Sequence, residues 1–185
     1  VLFRSNYGFG EVTGKNSDSR YMGAGLMYDN GPLSLGLSIE QLKQGANSSV
    51  NGDINAWALG GSYDLGVAKL LAGYRQSTVD NFAFASTGAD AKRKGYMLAV
   101  TAPVGPGLVR AAYNRYQDSQ TGTADAKADH FAIGYIYSLS KRTSVYGTYA
   151  YLKNKNGGTR FSINGDAGLD NGKQQGLQVG MTHAF

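Results

Sequence analysis

Apolar and polar residues alternate every second position along most of this chain, and the apolar set carries no charge. The closing stretch GLQVGMTHAF shows the pattern plainly: Leu177, Val179, Met181, His183 and Phe185 form one row, and Gly176, Gln178, Gly180, Thr182 and Ala184 form the other. A period of two is the signature of a strand with two unlike faces. Further rows of the same kind are Tyr7, Phe9; Met22, Ala24, Leu26, Tyr28; Leu33, Leu35, Leu37, Ile39; and Trp57, Leu59, Gly61, Tyr63. They continue with Ala68, Leu70, Ala72, Tyr74; Tyr96, Leu98, Val100, Ala102; Val109, Ala111, Tyr113; Phe131, Ile133, Tyr135, Tyr137; and Val145, Gly147, Tyr149, Tyr151. With the closing row this predicts ten strands. Each is expected to run roughly 8–11 residues, the length of a tilted strand crossing a bilayer.

The connections alternate in length. Asn30-Gly31, Asp64 to Gly66, Pro103 to Gly107 and Ser140 to Thr143 are short and turn-like. Between them lie longer polar stretches: Gly14 to Ser19, Lys43 to Asp53, Gln76 to Arg93, Gln117 to Asp129 and Lys153 to Gly172. Plain turns at one end and elaborated loops at the other describe an up-and-down sheet of the transmembrane β-barrel kind.

Alternation alone does not say whether the apolar rows face a dry interior or lipid. Three features favour lipid. The rows contain no Lys, Arg, Asp or Glu, a residue type that costs about 2–4 kcal/mol at a bilayer midplane when it is Lys or Arg. Aromatics cluster at the row ends: Tyr28, Tyr63, Tyr137 and Phe185 toward the short turns, Trp57, Tyr74, Phe131 and Tyr151 toward the long loops, as two interfacial belts would require. The opposite rows (Ser34, Gly36, Ser38, Glu40; Lys69, Leu71, Gly73, Arg75; Gly95, Met97, Ala99, Thr101; Arg110, Ala112, Asn114) are smaller and more sparsely charged than a soluble exterior. The fold expected is therefore all-β, a transmembrane antiparallel up-and-down β-barrel.

Composition narrows the function. Cysteine is absent and histidine occurs only twice, at His130 and His183, so no metal site or cofactor is expected. The NGDAGLDNG run around Asp166 and Asp170 has oxygen ligands but lacks a full calcium-loop pattern. The net charge of +5 suits anions and acidic surfaces. Strand parity turns Lys69, Arg75, Arg93 and Arg110 away from the apolar rows, against one clear acid, Glu40. The expected activity is passive diffusion of small hydrophilic solutes, with anions preferred and no nucleic acid bound. Two rivals stay open. One is a membrane-barrel hydrolase of lipase or protease type, for which Ser138, Ser144, Asp129 and His130 could be cast. The other is a soluble β-barrel holding an apolar ligand.

YGFGEV, RYMGAGLMYDNGPLSLGLSIEQ, LVRAAYNRYQ, FAIGYIYSLSKRTSVYGTYAYL and GLQVGMTHAF resemble the carboxy-terminal part of a betaproteobacterial general porin, the trimeric Gram-negative outer-membrane type. The resemblance implies an outer-membrane address, lipid contact, a homotrimer when full length, and no enzymatic activity. It also gives Leu177, Val179, Met181, His183 and Phe185 the part of the signal read by the barrel insertion machinery. Porins of this type resemble sixteen-stranded barrels, which at about 18 residues per strand and connection need roughly 300 residues. The chain would then hold the last ten strands, without the loop that narrows the pore. Residues 1–5, VLFRS, resemble the translated end of a sequencing-library adapter, so 1–5 are expected to be a non-native scar and 6–185 the partial barrel domain.

Overall fold

Three of the four short reversals turn on a glycine whose backbone is left-handed: Gly31 at φ 56°, Gly66 at φ 81° and Gly105 at φ 57°. A side chain is disfavoured there, so these positions fix where each strand pair reverses. At Gly66 the Asp64 carboxylate also accepts the Gly66 N–H at 2.8 Å. The fourth reversal uses a serine instead, with Ser140 Oγ accepting the Arg142 and Thr143 amides at 3.1 and 3.0 Å.

Between these reversals a computed structural model shows ten strands and no helix among the described residues, which are 1–10, 19–43, 52–82, 89–120, 124–156, 161–163, 165 and 172–184. The strands are β1 (Leu2–Gly8), β2 (Tyr21–Asn30), β3 (Leu33–Leu42), β4 (Ile54–Asp64), β5 (Lys69–Phe82), β6 (Ala89–Val104), β7 (Gly107–Gln120), β8 (Ala126–Ser138), β9 (Thr143–Lys155) and β10 (Lys173–His183). Their order in the sheet is their order in the chain, the up-and-down topology. Backbone contacts group the residues into two units. One holds Val1–Gly61, Gly73–Gly95 and Gln117–Asp125, and the other holds Ser62–Ala72, Tyr96–Tyr116 and Ala126–Phe185.

In the first unit, antiparallel pairing sets Leu26 opposite Leu37, Tyr28 opposite Leu35 and Ala24 opposite Ile39. Pairing in the second unit sets Ile133 opposite Tyr149, which lies opposite Leu177, and Tyr137 opposite Val145, which lies opposite Met181. The register therefore assembles the sequence rows into continuous apolar bands. These bands are not a core. Leu35 and Ile133 are each 44% exposed and Val179 is 75% exposed. Among the described residues, the buried apolar side chains are small or single: Ala56, Val79, Ala91, Ala126, Ala128 and Leu152. A soluble sandwich would bury its large aliphatics and show the reverse. The fold is all-β and its large apolar side chains lie on the surface, as a lipid-facing wall requires.

The polar face has its own packing device. Gly180 lies opposite Tyr146 in the β9–β10 ladder, and a Cβ at Gly180 would overlap the Tyr146 ring. The ring lies across the glycine and covers backbone that would otherwise be bare.

Strand length departs from expectation. β5 to β9 run 13–16 residues, past the points where the long loops were expected to begin. Beyond the apolar rows both faces become polar, as in Arg115–Gln120 and Lys153–Lys155. Alternation then vanishes from the sequence, yet the backbone ladder continues, because hydrogen bonding between strands needs no apolar face. At the other end, Leu2–Ser5 pair with Met27–Ala24 through backbone groups that any sequence supplies.

A charge placed in the apolar band should be far costlier than one placed beside it. Ile133→Arg should lose about 2–4 kcal/mol of folding stability in lipid vesicles, whereas Ala132→Arg on the other face should lose less than about 1 kcal/mol. Urea unfolding of the refolded chain in vesicles measures both.

Candidate functional site: the polar face of the sheet

Within each unit the residues that alternate with the apolar rows carry charged side chains on the face away from those rows. In the first unit, Glu40 sits near the end of β3 and Arg75 on β5, and Arg75 Nη2 donates to Glu40 Oε1 at 2.6 Å. Tyr21 on β2 donates its hydroxyl to the other carboxylate oxygen at 3.4 Å. Arg93 on β6 faces Asp118 on β7, Nε to Oδ2 3.5 Å. Asp118 is only 7% exposed while the Arg93 side chain is 53% exposed, so the carboxylate is covered and the guanidinium stays in water. Asp118 was not singled out in the sequence. It follows the last apolar residue of β7 by five positions, where no alternation remains to assign its face. The Glu40–Arg75 pair is exposed on both sides, and such pairs contribute little to stability, typically under about 1 kcal/mol. Their effect is to hold charges at fixed positions along the wall.

In the second unit, Lys69 at the start of β5 and Arg110 on β7 are both exposed. Neither makes an ion pair among the described residues. Nearer the long loops the face becomes occupied. Asn114 Nδ2 and His130 Nδ1 lie 3.2 Å apart, within hydrogen-bond distance. The segment Phe161–Ile163 between β9 and β10 lies against the same face. The Phe161 ring stacks on Tyr116 with centroids 5.6 Å apart and 22° between planes. Asn154, fully buried, donates Nδ2 to the Phe161 carbonyl at 2.9 Å, and the Ile163 N–H donates to Gln174 Oε1 at 2.7 Å. Tyr116, His130, Thr148, Leu152 and Phe161 then line a cavity of about 550 Å³ with Ser162 and Ile163 across it. Sequence reasoning placed residues 153–172 in a loop and had no signal that part of it turns back on the sheet.

The remaining singled-out residues lie in the apolar bands. The Trp57 and Tyr74 rings meet at 4.9 Å, and the Tyr28 hydroxyl accepts from Asn30 Nδ2 at 3.0 Å. Phe131 lies opposite Tyr151, and the Tyr137 and Tyr135 rings stand 6.4 Å apart. Tyr63 is 45% exposed near the β4–β5 turn. On β10, Leu177, Val179, Met181 and His183 lie opposite Tyr149, Gly147, Val145 and Thr143. His183 Nδ1 and Thr143 Oγ1 are 2.8 Å apart. Phe185 lies outside the described residues, as do Asp166 and Asp170.

No group of three or more His, Cys, Asp or Glu is placed to hold a metal among the described residues. The residues cast for a hydrolase do not converge. His130 and Ser138 share β8 but stand eight positions apart, about 26 Å along a strand. Asp129 belongs to the opposite face and is engaged by Tyr113, Arg115 and Lys155.

Residues 3–157 match the family of Gram-negative porins. The chain belongs to that family. As a porin it is 39% identical over 175 residues to outer membrane porin protein 32 of Delftia acidovorans, covering 92% of this chain and 48% of the relative. To an outer membrane porin protein of Bordetella pertussis it is 31% identical, covering 90% of this chain and 46% of that relative. It superimposes on the anion-selective porin from Comamonas acidovorans with TM-score 0.80 and 37% identity, covering 99% of this chain and 56% of that one. OmpT of Vibrio cholerae shares the fold, with TM-score 0.72 at 16% identity. This porin chain spans about half the length of the curated relatives it matches. Its place is the outer membrane of a Gram-negative bacterium.

Gln174→Ala should release the segment at Ile163. Losing one net hydrogen bond of about 1 kcal/mol predicts amide exchange at Ile163 faster by roughly fivefold. The Asn154 N–H, bonded to the Gly172 carbonyl at 3.1 Å, should exchange at an unchanged rate.

Proposed function

We propose that the polar face described above lines a water-filled channel for passive diffusion of small hydrophilic solutes, with anions preferred. The observation that carries this reading is the charge of that face. Arg75 and Arg93 are each matched by a carboxylate, Glu40 and Asp118, and Asp29 and Asp64 lie at the short-turn ends of the same rows. Lys69 and Arg110 are exposed and make no ion pair among the described residues. A cation-rich wall lowers the barrier for anions and raises it for cations. The 37% identity to a porin titled anion-selective supports the same sign. No step of chemistry is required, and the separation of His130 from Ser138 and Asp129 gives no support to a hydrolase.

The remaining roles follow from the same reading. The full-length protein is proposed to assemble as a homotrimer, with Tyr28, Tyr63, Tyr137, Trp57, Tyr74, Phe131 and Tyr151 forming the interfacial belts. Leu177, Val179, Met181, His183 and Phe185 are proposed as the insertion signal.

The test is the reversal potential of the full-length channel in a planar bilayer under a salt gradient. The sign should report anion preference, and the preference should weaken as salt rises and screening shortens. Removing one wall charge about 8 Å from the ion path should cut the anion-to-cation ratio by roughly fivefold at low salt, because about 0.5 kcal/mol of Coulomb energy in water is lost by the anion and the same amount regained by the cation. Lys69→Gln and Arg110→Gln should each show this, and a cation-preferring channel would contradict the assignment.

A further inference from the structure

A second group of cations lies on the other face, beyond the apolar band. The ladders set Lys127 opposite Lys155 and Lys153 opposite Lys173, with Asp129 opposite Lys153. Arg115 joins them through Asp129, Nε to Oδ1 3.4 Å. Parity puts these six residues on the face of Tyr113, Phe131, Tyr149, Tyr151 and Leu177, two or four residues past the ends of those rows. Like charges directly opposite each other in a ladder are destabilising. Here two such pairs sit side by side, and Asp129 is the carboxylate that meets Arg115 and Lys155. That carboxylate is already engaged: Asp129 accepts from the Tyr113 hydroxyl at 2.9 Å and also meets Arg115 and Lys155. Lys153 and Lys173 remain exposed.

We propose that this cluster binds the anionic phosphate headgroup of a membrane lipid, whose acyl chains lie along Tyr151, Tyr149 and Leu177. Position and charge together select a lipid. The cluster is continuous with the apolar band, so a headgroup held by Lys153 and Lys173 has its chains already on the wall. A free anion would gain nothing from that band. The site lies at the end bearing the long connections, which in outer-membrane barrels faces the cell exterior, so the lipid belongs to the outer leaflet. The inference rests on the membrane-barrel reading but not on the channel, because none of the cluster residues shares a face with Lys69 or Arg110.

The experiment uses the 185-residue chain refolded in neutral detergent micelles. Binding of phosphatidylglycerol and phosphatidylcholine with identical chains is followed by native mass spectrometry. At about 1 kcal/mol per basic residue near an anionic headgroup, phosphatidylglycerol should bind at least about tenfold tighter. Lys153→Gln/Lys173→Gln should bring the ratio below about threefold, and about 0.5 M salt should do the same to the unaltered chain. Arg110→Gln, which removes charge from the other face, should leave the ratio unchanged. Equal binding of the two lipids would overturn the proposal. So would an unchanged ratio in a double variant that keeps its β-sheet circular dichroism, or a fall of equal size in Arg110→Gln. Reversal potentials of the full-length channel are indifferent to this outcome, so the two readings fail separately.

Discussion

A bilayer interior offers no water to backbone N–H and C=O groups, and everything in this chain answers to that constraint. Each strand must satisfy its backbone groups through neighbouring strands, which leaves one row of side chains for hydrocarbon and one for water. The period of two is the visible record of that division. It explains why Leu35, Ile133 and Val179 are exposed without being a liability, and why the described residues bury so few large side chains. Stability resides in the ladder and in the lipid contact, with little left to an interior.

Because the apolar rows face lipid, the proposed channel falls to the polar rows, and short distances between charges would decide its sign. Glu40 with Arg75 and Asp118 with Arg93 form compensated pairs, so they position side chains and add little net field. Lys69 and Arg110 stay exposed and outside such pairs. Toward the long connections the same face is partly filled by Phe161 on Tyr116 and by Ile163 on Gln174. The porin wall is thus open and basic along one stretch and covered along another. On the far side of the sheet, the cations around Asp129 lie just past the apolar rows, where the proposed lipid headgroup would sit.

Much of this was legible in the sequence, for a physical reason. Where a strand has two unlike environments, the environments are written into alternate residues. Hence all ten strands, the four short turns and the face of Glu40, Arg75 and Arg110 could be read from spacing. The record stops where both faces meet water. The ends of β5 to β9 extend through residues such as Arg115–Gln120 whose pairing is held by backbone alone, and Asp118 was hidden for that reason. The return of Phe161–Ile163 was equally hidden, since it depends on one buried amide, one glutamine and one ring stack spread over residues 116 to 174. Five basic side chains near Asp129 were each visible, but only the register showed Lys127 facing Lys155 and Lys153 facing Lys173.

The central claim is that the apolar rows touch lipid and the alternate rows touch water. The chain has no cysteine, so single cysteines can carry spin labels without interference. Labels at Leu35, Ile133 and Val179, and at their neighbours Ser34, Ala132 and Gln178, should be compared in bilayers for collisions with oxygen and with a water-soluble nickel chelate. The account predicts that the first three collide mainly with oxygen and the second three mainly with nickel, switching at every residue. Shielding of Leu35, Ile133 and Val179 from both reagents would place them in a dry interior and contradict it.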